Sequence, residues 1–305
     1  MPSYETLIDR LIHSTVRLGC QNVHGEMSFG TGYIFLFCEA DGKGIPCIVT
    51  NKHVVKNGAT GFFNLTIADA DGGAKLGHHE RVALSNLQRF CIWHPDVNID
   101  LVAIPIGPIL NNASKKGSDY YIAPLSRQLI ATTELLASLT TMEEIVMIGY
   151  PNGLWDETNN LPIIRKGITA THARLRLNNK PEFLIDAACF PGSSGSPVFL
   201  ANIGGNSSHG GWVIGDRVAL LGTLYAGPQI TTQGEIVVID VPTGTKPIAV
   251  GSIPINLGYV IQASELNALE QAIERTPIPL ISGSRNGLCA CGSGKRLKNC
   301  CGKLS

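Results

Sequence analysis

Short apolar runs separated by turn residues recur along most of this 305-residue chain, and they constrain its fold more than any other feature. The strand-length runs include residues 33–37, 47–50, 61–67, 101–106 and 144–148. Turn signals such as Asp41-Gly42 and Asp71-Gly72 lie between them. Repeated short strands without intervening helical patterns predict an all-β fold, built as a barrel or a sandwich.

Helical patterns are limited to three short segments, at residues 3–15, 133–139 and 264–275. The first and the last place apolar side chains three or four positions apart, which is the spacing of one buried helix face. Ser264 is expected to cap the last helix, and Pro277 is expected to end it. We therefore expect short helices that pack on a β core.

The charge balance excludes several classes of protein. The chain has 24 basic and 24 acidic residues, so no global field attracts it to nucleic acid or to a membrane surface. No stretch approaches about 18 consecutive apolar residues, so no transmembrane helix is expected. A chain of this length can form two or three compact units with substantial cores. The balanced charge and the lack of a long apolar stretch therefore predict no specific nucleic acid partner and no membrane partner.

The segment 192–197, which we call the serine loop, has the residue pattern of a site for a reactive serine. It reads Gly-Ser-Ser-Gly-Ser-Pro and follows the apolar run 183–190. Its glycines let the backbone turn N–H groups towards a serine, in conformations that a Cβ would oppose. A serine hydroxyl is a weak nucleophile that needs a neighbouring base and a site for an oxyanion. Ser194 is the candidate nucleophile.

Two other positions offer the partners that a nucleophilic serine needs. His53 follows the β-branched run 48–50, and Asp100 opens the apolar run 101–106. Asp96 is an alternative acid in a turn-like stretch nearby. We favour Asp100, because it opens a strand that is expected to be buried.

The order His53, Asp100, Ser194 resembles that of chymotrypsin-type peptidases. The chain is similar to the trypsin-like peptidases of bacteria, especially the HtrA/Deg protease core, over about residues 15–262. Further shared segments are 28–32, 149–153, 165–168 and 185–198. The resemblance implies two antiparallel β-barrels, at about 16–110 and 141–262, with the active cleft between them.

The resemblance also implies a role for each site residue. Ser194 would attack the substrate, His53 would accept its proton, and Asp100 would orient the imidazole. The backbone N–H groups of Gly192 and Ser194 would form the oxyanion hole. The substrate pocket would be lined by Ala188, Leu224, Tyr225, Ala226 and Gly227. Since none of these is a carboxylate, we expect cleavage after small or medium apolar residues.

Four cysteines near the end of the chain form a second pattern. Cys289, Cys291, Cys300 and Cys301 lie in a segment, 285–305, that resembles the SEC-C motif. Four thiolates at this spacing can close a tetrahedral site, so we expect one structural Zn²⁺ per chain. Disulfides, free thiols and iron–sulfur ligation are the alternatives. The resemblance implies docking to a protein or to a ribosome surface through this basic module.

These patterns together predict the organisation and the function of the chain. A peptidase domain is expected at 1–262, a helix and linker at 263–284, and the zinc module at 285–305. A cytoplasmic location is expected, because residues 1–5 lack the features of a signal peptide and the cysteines of the body are odd in number, at positions 20, 38, 47, 91 and 189. The predicted function is that of a cytoplasmic serine endopeptidase. The alternative is a non-catalytic peptide-binding or adaptor protein on a protease scaffold.

Overall fold

The structure, a computed structural model, describes residues 7–208, 211–235 and 248–278 and is mostly β. The all-β prediction is confirmed for these residues. The expected zinc module at 285–305, with its four cysteines, lies outside them. Two antiparallel β units follow one another along the chain, and short helices pack on them.

The first unit is a seven-stranded sheet with the strand order β5-β4-β1-β2-β3-β7-β6. Its strands are β1 (Thr15–Gln21), β2 (Met27–Ala40), β3 (Lys43–Thr50), β4 (Thr60–Ala68), β5 (Ala74–Ser85), β6 (Ile92–Trp93) and β7 (Val102–Pro105). The resemblance implies a β-barrel here, whereas the described strands pair as a sheet whose ladder does not close. The terminal strand β6 has two residues and pairs only with β7 among the described strands, so it cannot close the sheet onto β5.

The second unit is a closed barrel in which the strands follow the order β10-β17-β14-β11-β8-β9, as the resemblance implies. These strands are β8 (Glu144–Gly149), β9 (Ile163–Thr169), β10 (Glu182–Asp186), β11 (Pro197–Asn202), β14 (Arg217–Ala226) and β17 (Leu257–Gln262). All side chains of β11 are buried. Val198 and Leu200 point into the barrel core, whereas Phe199 joins a cluster shared with the first unit. Because successive side chains of a strand point to opposite faces, β11 contributes both to the barrel core and to the cluster shared with the first unit.

An apolar cluster joins the two units. It contains Tyr33, Phe35 and Phe37 from β2 together with Phe199 and Leu220 from the barrel. The hydroxyl groups of Tyr33 and Thr223 lie 2.9 Å apart across this contact. Because burial in a shared core resists separation, the cluster fixes the cleft between the units.

Five α-helices pack on these units within the described residues. They are α1 (Leu7–Ile12), α2 (Lys52–Val55), α3 (Gly107–Ser114), α4 (Thr133–Ser138) and α5 (Leu266–Glu274). The helices α1, α4 and α5 confirm the three predicted segments. The expected cap at Ser264 is wrong, because this residue lies in a 3₁₀ turn (Ala263–Glu265) and α5 begins without a side-chain cap.

Two hairpins extend from the second unit. They are formed by β12 (Gly205–Ser208) with β13 (Gly211–Ile214) and by β15 (Gln229–Glu235) with β16 (Ile248–Pro254). None of the helices in the described ranges is long and apolar enough to span a membrane.

Candidate active site

His53 lies on the one-turn helix α2, which the core holds in place. Val54 and Val55 are buried, whereas the side chain of His53 is 41% exposed. Asn51, the residue before helix α2, is buried, and its Nδ2 donates to the carbonyl oxygen of Asp100 at 2.8 Å. The end of β3 and the start of the next apolar run are therefore tied together, which places His53 beside Asp100.

The carboxylate of Asp100 holds His53 at two points. Its Oδ2 lies 2.5 Å from Nδ1 of the imidazole, and its Oδ1 accepts the backbone N–H of His53 at 3.0 Å. A carboxylate that accepts the Nδ1 proton leaves Nε2 of the neutral ring as a base. Asp96 instead accepts hydrogen bonds from the backbone and side chain of Asn98, which hold the pKa of its carboxyl below the usual range.

Two consecutive turns shape the serine loop. The N–H of Ser193 donates to Phe190 at 3.0 Å, and the N–H of Ser196 donates to Ser193 at 3.0 Å. Gly192 and Gly195 occupy the third positions of these turns, with φ values of +85° and +89°. A positive φ at this position together with the closing hydrogen bond is typical of type II turns, which favour glycine there.

The turns present one serine to the cleft. Ser193 and Ser196 are buried, whereas Ser194 is partly exposed at the second position of the second turn. A Cβ on Gly195 would lie 1.9 Å from the backbone oxygen of Thr31, so only glycine fits beside the serine. The loop geometry therefore favours Ser194 as the reactive hydroxyl.

The N–H groups of Gly192 and Ser194 are available as donors. Among the described residues, no backbone carbonyl accepts a hydrogen bond from either of them. Pro191 occupies the second position of the first turn, where its fixed φ is favourable. Two converging N–H groups next to a serine can stabilise the negative charge that develops on a carbonyl oxygen under attack.

The hydroxyl of Ser194 points towards the second unit. Its Oγ donates to the carbonyl oxygen of Tyr225 at 3.5 Å, and within the described ranges it makes no hydrogen bond to His53. A bond between a serine nucleophile and its base often tightens only when the substrate binds. The His53–Asp100 pair is formed, and a Cβ on Gly30 would lie 3.3 Å from the carbonyl oxygen of Ser194 and 2.7 Å from Val54, the neighbour of His53.

Thr31 holds the serine loop against the first unit. Its N–H donates to the carbonyl oxygen of Ser194 at 2.8 Å, and its Oγ1 donates to the carbonyl oxygen of Gly192 at 2.9 Å. The same Oγ1 accepts the N–H of Tyr150 at 3.1 Å, and the backbone oxygen of Thr31 accepts the Thr50 hydroxyl at 2.7 Å. A fully buried side chain thus positions both backbone segments of the candidate oxyanion hole.

Sequence reasoning gave Thr31 no role, although its neighbours carry a signal. Gly30 and Gly32 flank it. A Cβ on Gly30 would lie 2.7 Å from Val54, and a Cβ on Gly32 would lie 2.5 Å from Ile48. Two glycines around one polar residue in a long strand indicate that another backbone approaches closely.

The residues expected to line the substrate pocket differ in their surroundings. Leu224 is buried, and a Cβ on Gly227 would lie 3.5 Å from Cβ of Cys189. Tyr225 departs from the expectation, because its hydroxyl donates to Glu182 at 2.6 Å and its ring lines a neighbouring cleft that also contains Asp100. Burial and the bond to Glu182 raise the pKa of Tyr225.

An arginine lies behind the expected floor of this pocket, and sequence reasoning missed it. Arg165 donates from Nη1 to the carbonyl oxygen of Ala188, and its Nε and Nη2 are buried without a hydrogen-bond partner in the described residues. Burial lowers the pKa of Arg165. Burial also raises the pKa of the Cys189 thiol to about 11, although the nearby guanidinium lowers it. The floor of the pocket is therefore unsuited to a second positive charge.

Comparisons with known proteins agree with this arrangement at the level of the family. The sequence profile of the family described as "Trypsin-like peptidase domain" matches residues 30–206, which is more than half of the chain. A search of curated proteins found no match.

Several solved structures are similar to this chain at low sequence identity. The HtrA-type protease AlgW with a tripeptide has 19% identity and a TM-score of 0.48, and the match covers 90% of this chain and 64% of that one. The active form of the Rv3671c protease from M. tuberculosis has 14% identity and a TM-score of 0.43, with coverages of 88% and 85%. Tobacco etch virus protease in complex with product has 14% identity and a TM-score of 0.42, with coverages of 72% and 70%.

We expect Thr31→Val to slow the reaction of Ser194 with a fluorophosphonate by roughly tenfold to a hundredfold, since both hydrogen bonds of Oγ1 are lost while its volume is kept. Thr31→Ser should restore most of the rate. The measurement is the rate of covalent labelling under pseudo-first-order conditions. Thr66→Val is the matched control, because Thr66 is a buried threonine that accepts a bond from Asn160 away from the loop. Equal rates for Thr31→Val and the wild type would contradict the role of Thr31.

Proposed function

This chain belongs to the trypsin-like peptidase family, and we propose on that premise that it is a serine endopeptidase. The observation that carries the proposal is the His53–Asp100 pair, which lies in the same unit as the strand that binds the serine loop. Thr31 adds support, because it ties the serine loop to the unit that carries the pair. These contacts support a site in which Ser194, His53 and Asp100 act together.

The proposed reaction begins with His53 Nε2 taking the Ser194 proton as Oγ attacks the carbonyl carbon of the substrate. The carbonyl oxygen becomes negative and accepts hydrogen bonds from the N–H groups of Gly192 and Ser194. Asp100 stabilises the imidazolium that forms. His53 then donates its proton to the leaving amine as the C–N bond breaks, and a water molecule hydrolyses the acyl-enzyme by the same steps in reverse order.

Ser194→Ala should abolish peptide hydrolysis, with a loss in kcat on the order of 10⁶, because the nucleophile is removed. The measurement is turnover of an internally quenched peptide together with labelling by a fluorophosphonate. Ser196→Ala is the matched control, since the buried Oγ of Ser196 has no hydrogen-bond partner among the described residues. Full activity of Ser194→Ala would contradict the assignment.

The same experiment separates the proposal from its alternative. A non-catalytic peptide-binding protein on this scaffold would bind peptides and would not be labelled at Ser194. The absence of a Ser194–His53 hydrogen bond among the described residues is the observation that makes this alternative worth testing. Labelling of Ser194 with turnover of peptide would exclude it.

The specificity that we propose follows from the walls of the substrate pocket. Ala188, Leu224, Ala226 and Gly227 present no carboxylate, and Gly258 has no side chain. A Cβ on Gly258 would lie 2.6 Å from both Cys189 Sγ and Leu224 Cδ1, so only glycine fits at this position. The buried guanidinium of Arg165 repels a basic side chain.

Cleavage should therefore follow Ala, Val or Leu, and it should be slowest after Arg or Lys. The measurement is kcat/KM for peptides that differ only in the residue before the scissile bond. Removal of a methylene from an apolar contact costs about 1–3 kcal/mol, so we expect differences of roughly tenfold or more among them. Preferred cleavage after Arg or Lys would contradict the assignment of the pocket.

We also propose that the last segment, 285–305, is a zinc module that docks to a protein or ribosome surface. Its support is the sequence pattern of Cys289, Cys291, Cys300 and Cys301, because these residues lie outside those that the structure describes. A segment of about twenty residues cannot bury a core of its own, so metal binding would supply most of its folding energy.

The purified chain should contain one zinc per molecule, and Cys300→Ser should lose it, because a tetrahedral thiolate site needs all four ligands. Metal analysis by mass spectrometry measures this. Cys38→Ser is the control, since Cys38 is a free cysteine of the first unit. Deleting residues 285–305 should leave turnover of a short peptide nearly unchanged. Iron in place of zinc would contradict the ligand assignment, and loss of turnover would contradict the independence of the module.

We infer a cytoplasmic location from the sequence alone. The support is the uneven spacing of five body cysteines, at positions 20, 38, 47, 91 and 189, which does not form a disulfide framework. All five are free in the structure. Peptide or protein substrates inside a reducing compartment are the partners that this inference implies.

A further inference from the structure

An aromatic and cationic cleft of about 430 Å³ lies beside the serine loop, on the outer face of the first sheet. Its floor and walls include Arg17, Met27, Phe29, Phe62, Arg81 and Trp155. These residues come from β1, β2, β4 and β5 and from the loop after β8. We call this surface the Arg17 cleft.

The guanidinium of Arg17 is held in place but lacks a counter-charge. Its Cζ lies 4.4 Å from the ring centroid of Phe29 and 5.7 Å from that of Trp155. Its Nε is buried without a hydrogen-bond partner, and Arg17 forms no salt bridge within the part of the chain that the structure describes. A stacked guanidinium with free donors is preorganised to bind a carboxylate through two parallel hydrogen bonds.

A second arginine adds to the positive charge of the cleft. Cζ of Arg81 lies 4.3 Å from the ring centroid of Phe62, and Arg81 also lacks a salt bridge among the described residues. Nearby carboxylates are engaged elsewhere, since Glu80 accepts the hydroxyl of Tyr120 and Asp156 accepts from Asn159. The Arg17 cleft therefore presents two uncompensated cations to an incoming ligand.

The Arg17 cleft lies near the serine loop. Nη2 of Arg17 lies 3.3 Å from the position that a Cβ on Gly153 would take. The nitrogen of Gly153 lies 3.3 Å from the corresponding position on Gly192, whose N–H belongs to the candidate oxyanion hole. Standard bond lengths then place the guanidinium within roughly 11 Å of the Cα of Gly192.

The position of the cleft indicates which part of a substrate reaches it. The side chain before the scissile bond enters the pocket formed by Ala188 and the strand end at Leu224. In the proposed binding mode the leaving segment passes Ser194 on the side of Gly30, where a Cβ on Gly30 would lie 3.3 Å from the serine carbonyl oxygen. An extended peptide advances about 3.3 Å per residue, so the second or third residue after the scissile bond reaches the Arg17 cleft.

We propose that the Arg17 cleft binds a carboxylate on the leaving segment of the substrate, two or three residues after the scissile bond. This proposal rests on the proposed endopeptidase function. The carboxylate belongs either to an Asp or Glu side chain or to the C-terminus of the substrate. Phe29 and Trp155 add apolar surface for the carbon atoms next to it.

The first test compares peptides that share one scissile bond. The first set tests a side-chain carboxylate: its peptides have an amidated C-terminus and carry either Glu or Gln at the second or third position of the leaving segment. The second set tests a C-terminal carboxylate: its peptides lack acidic residues and end at the second or third position, either as a free acid or as an amide. We expect kcat/KM to be about tenfold higher for the peptides with a carboxylate in one of the sets, because a hydrogen bond to a charged group is worth roughly that much. The set that shows the difference identifies the source.

Variants tie the preference to Arg17. Arg17→Gln should remove the tenfold difference, and Arg17→Lys should keep part of it, because a lysine retains the charge without the planar fork. Arg127→Gln is the matched control, since Arg127 is an exposed arginine that pairs with Glu270. Unchanged fluorophosphonate labelling of Ser194 shows that a variant is folded. Equal kcat/KM with and without the carboxylate in both sets would overturn the proposal.

A binding measurement separates the failure of this proposal from the failure of the proposed function. The Ser194→Ala chain is titrated with product-like peptides, and the fluorescence change that Trp155→Phe abolishes reports on the Arg17 cleft. Tighter binding of the carboxylate peptides, lost in Arg17→Gln, supports the cleft even if the wild type hydrolyses no peptide. Equal affinity for the acid and amide peptides would overturn it whatever the activity.

Discussion

The hydrogen bonds of Thr31 are the contact on which the arrangement of the candidate site depends. They connect β2 of the first unit with the serine loop and with the end of β8. Thr50, three residues before His53, bonds to the same residue. A displacement of Thr31 would therefore move the candidate nucleophile and its base relative to one another. Because the side chain is fully buried, each lost bond leaves a polar group without a partner.

The apolar cluster between the two units gives this contact its rigidity. Tyr33, two residues beyond Thr31, lies in that cluster and meets Thr223 of the barrel. Helix α5 packs on the same cluster through Leu266 and Leu269, and its Glu270 accepts the backbone N–H of Cys38 at 2.7 Å. A helix near the end of the described chain thus stabilises the strand that positions the serine loop.

The two sides of the cleft differ in charge. The cleft that Tyr225 lines, of about 470 Å³, contains three carboxylates, of Asp96, Asp100 and Glu182, as well as the basic residues Arg176 and Lys180. The Arg17 cleft contains arginines and no acidic side chain. Under the proposed function a bound peptide would experience different fields before and after its scissile bond, since opposite charges attract and like charges repel. This asymmetry would set the direction and the register of a substrate.

The sequence by itself determined the β class, most strand positions and the candidate catalytic residues, because each depends on a local pattern of apolar, turn and polar residues. Tertiary structure alone decided the open edge of the first sheet, the turn of Tyr225 towards Glu182 and the burial of Arg165 behind Ala188. It also assembled the Arg17 cleft from distant parts of the chain. Strand register brings those residues together, as in the pairing of Gly19 with Phe29, and register depends on contacts between strands that no local pattern encodes.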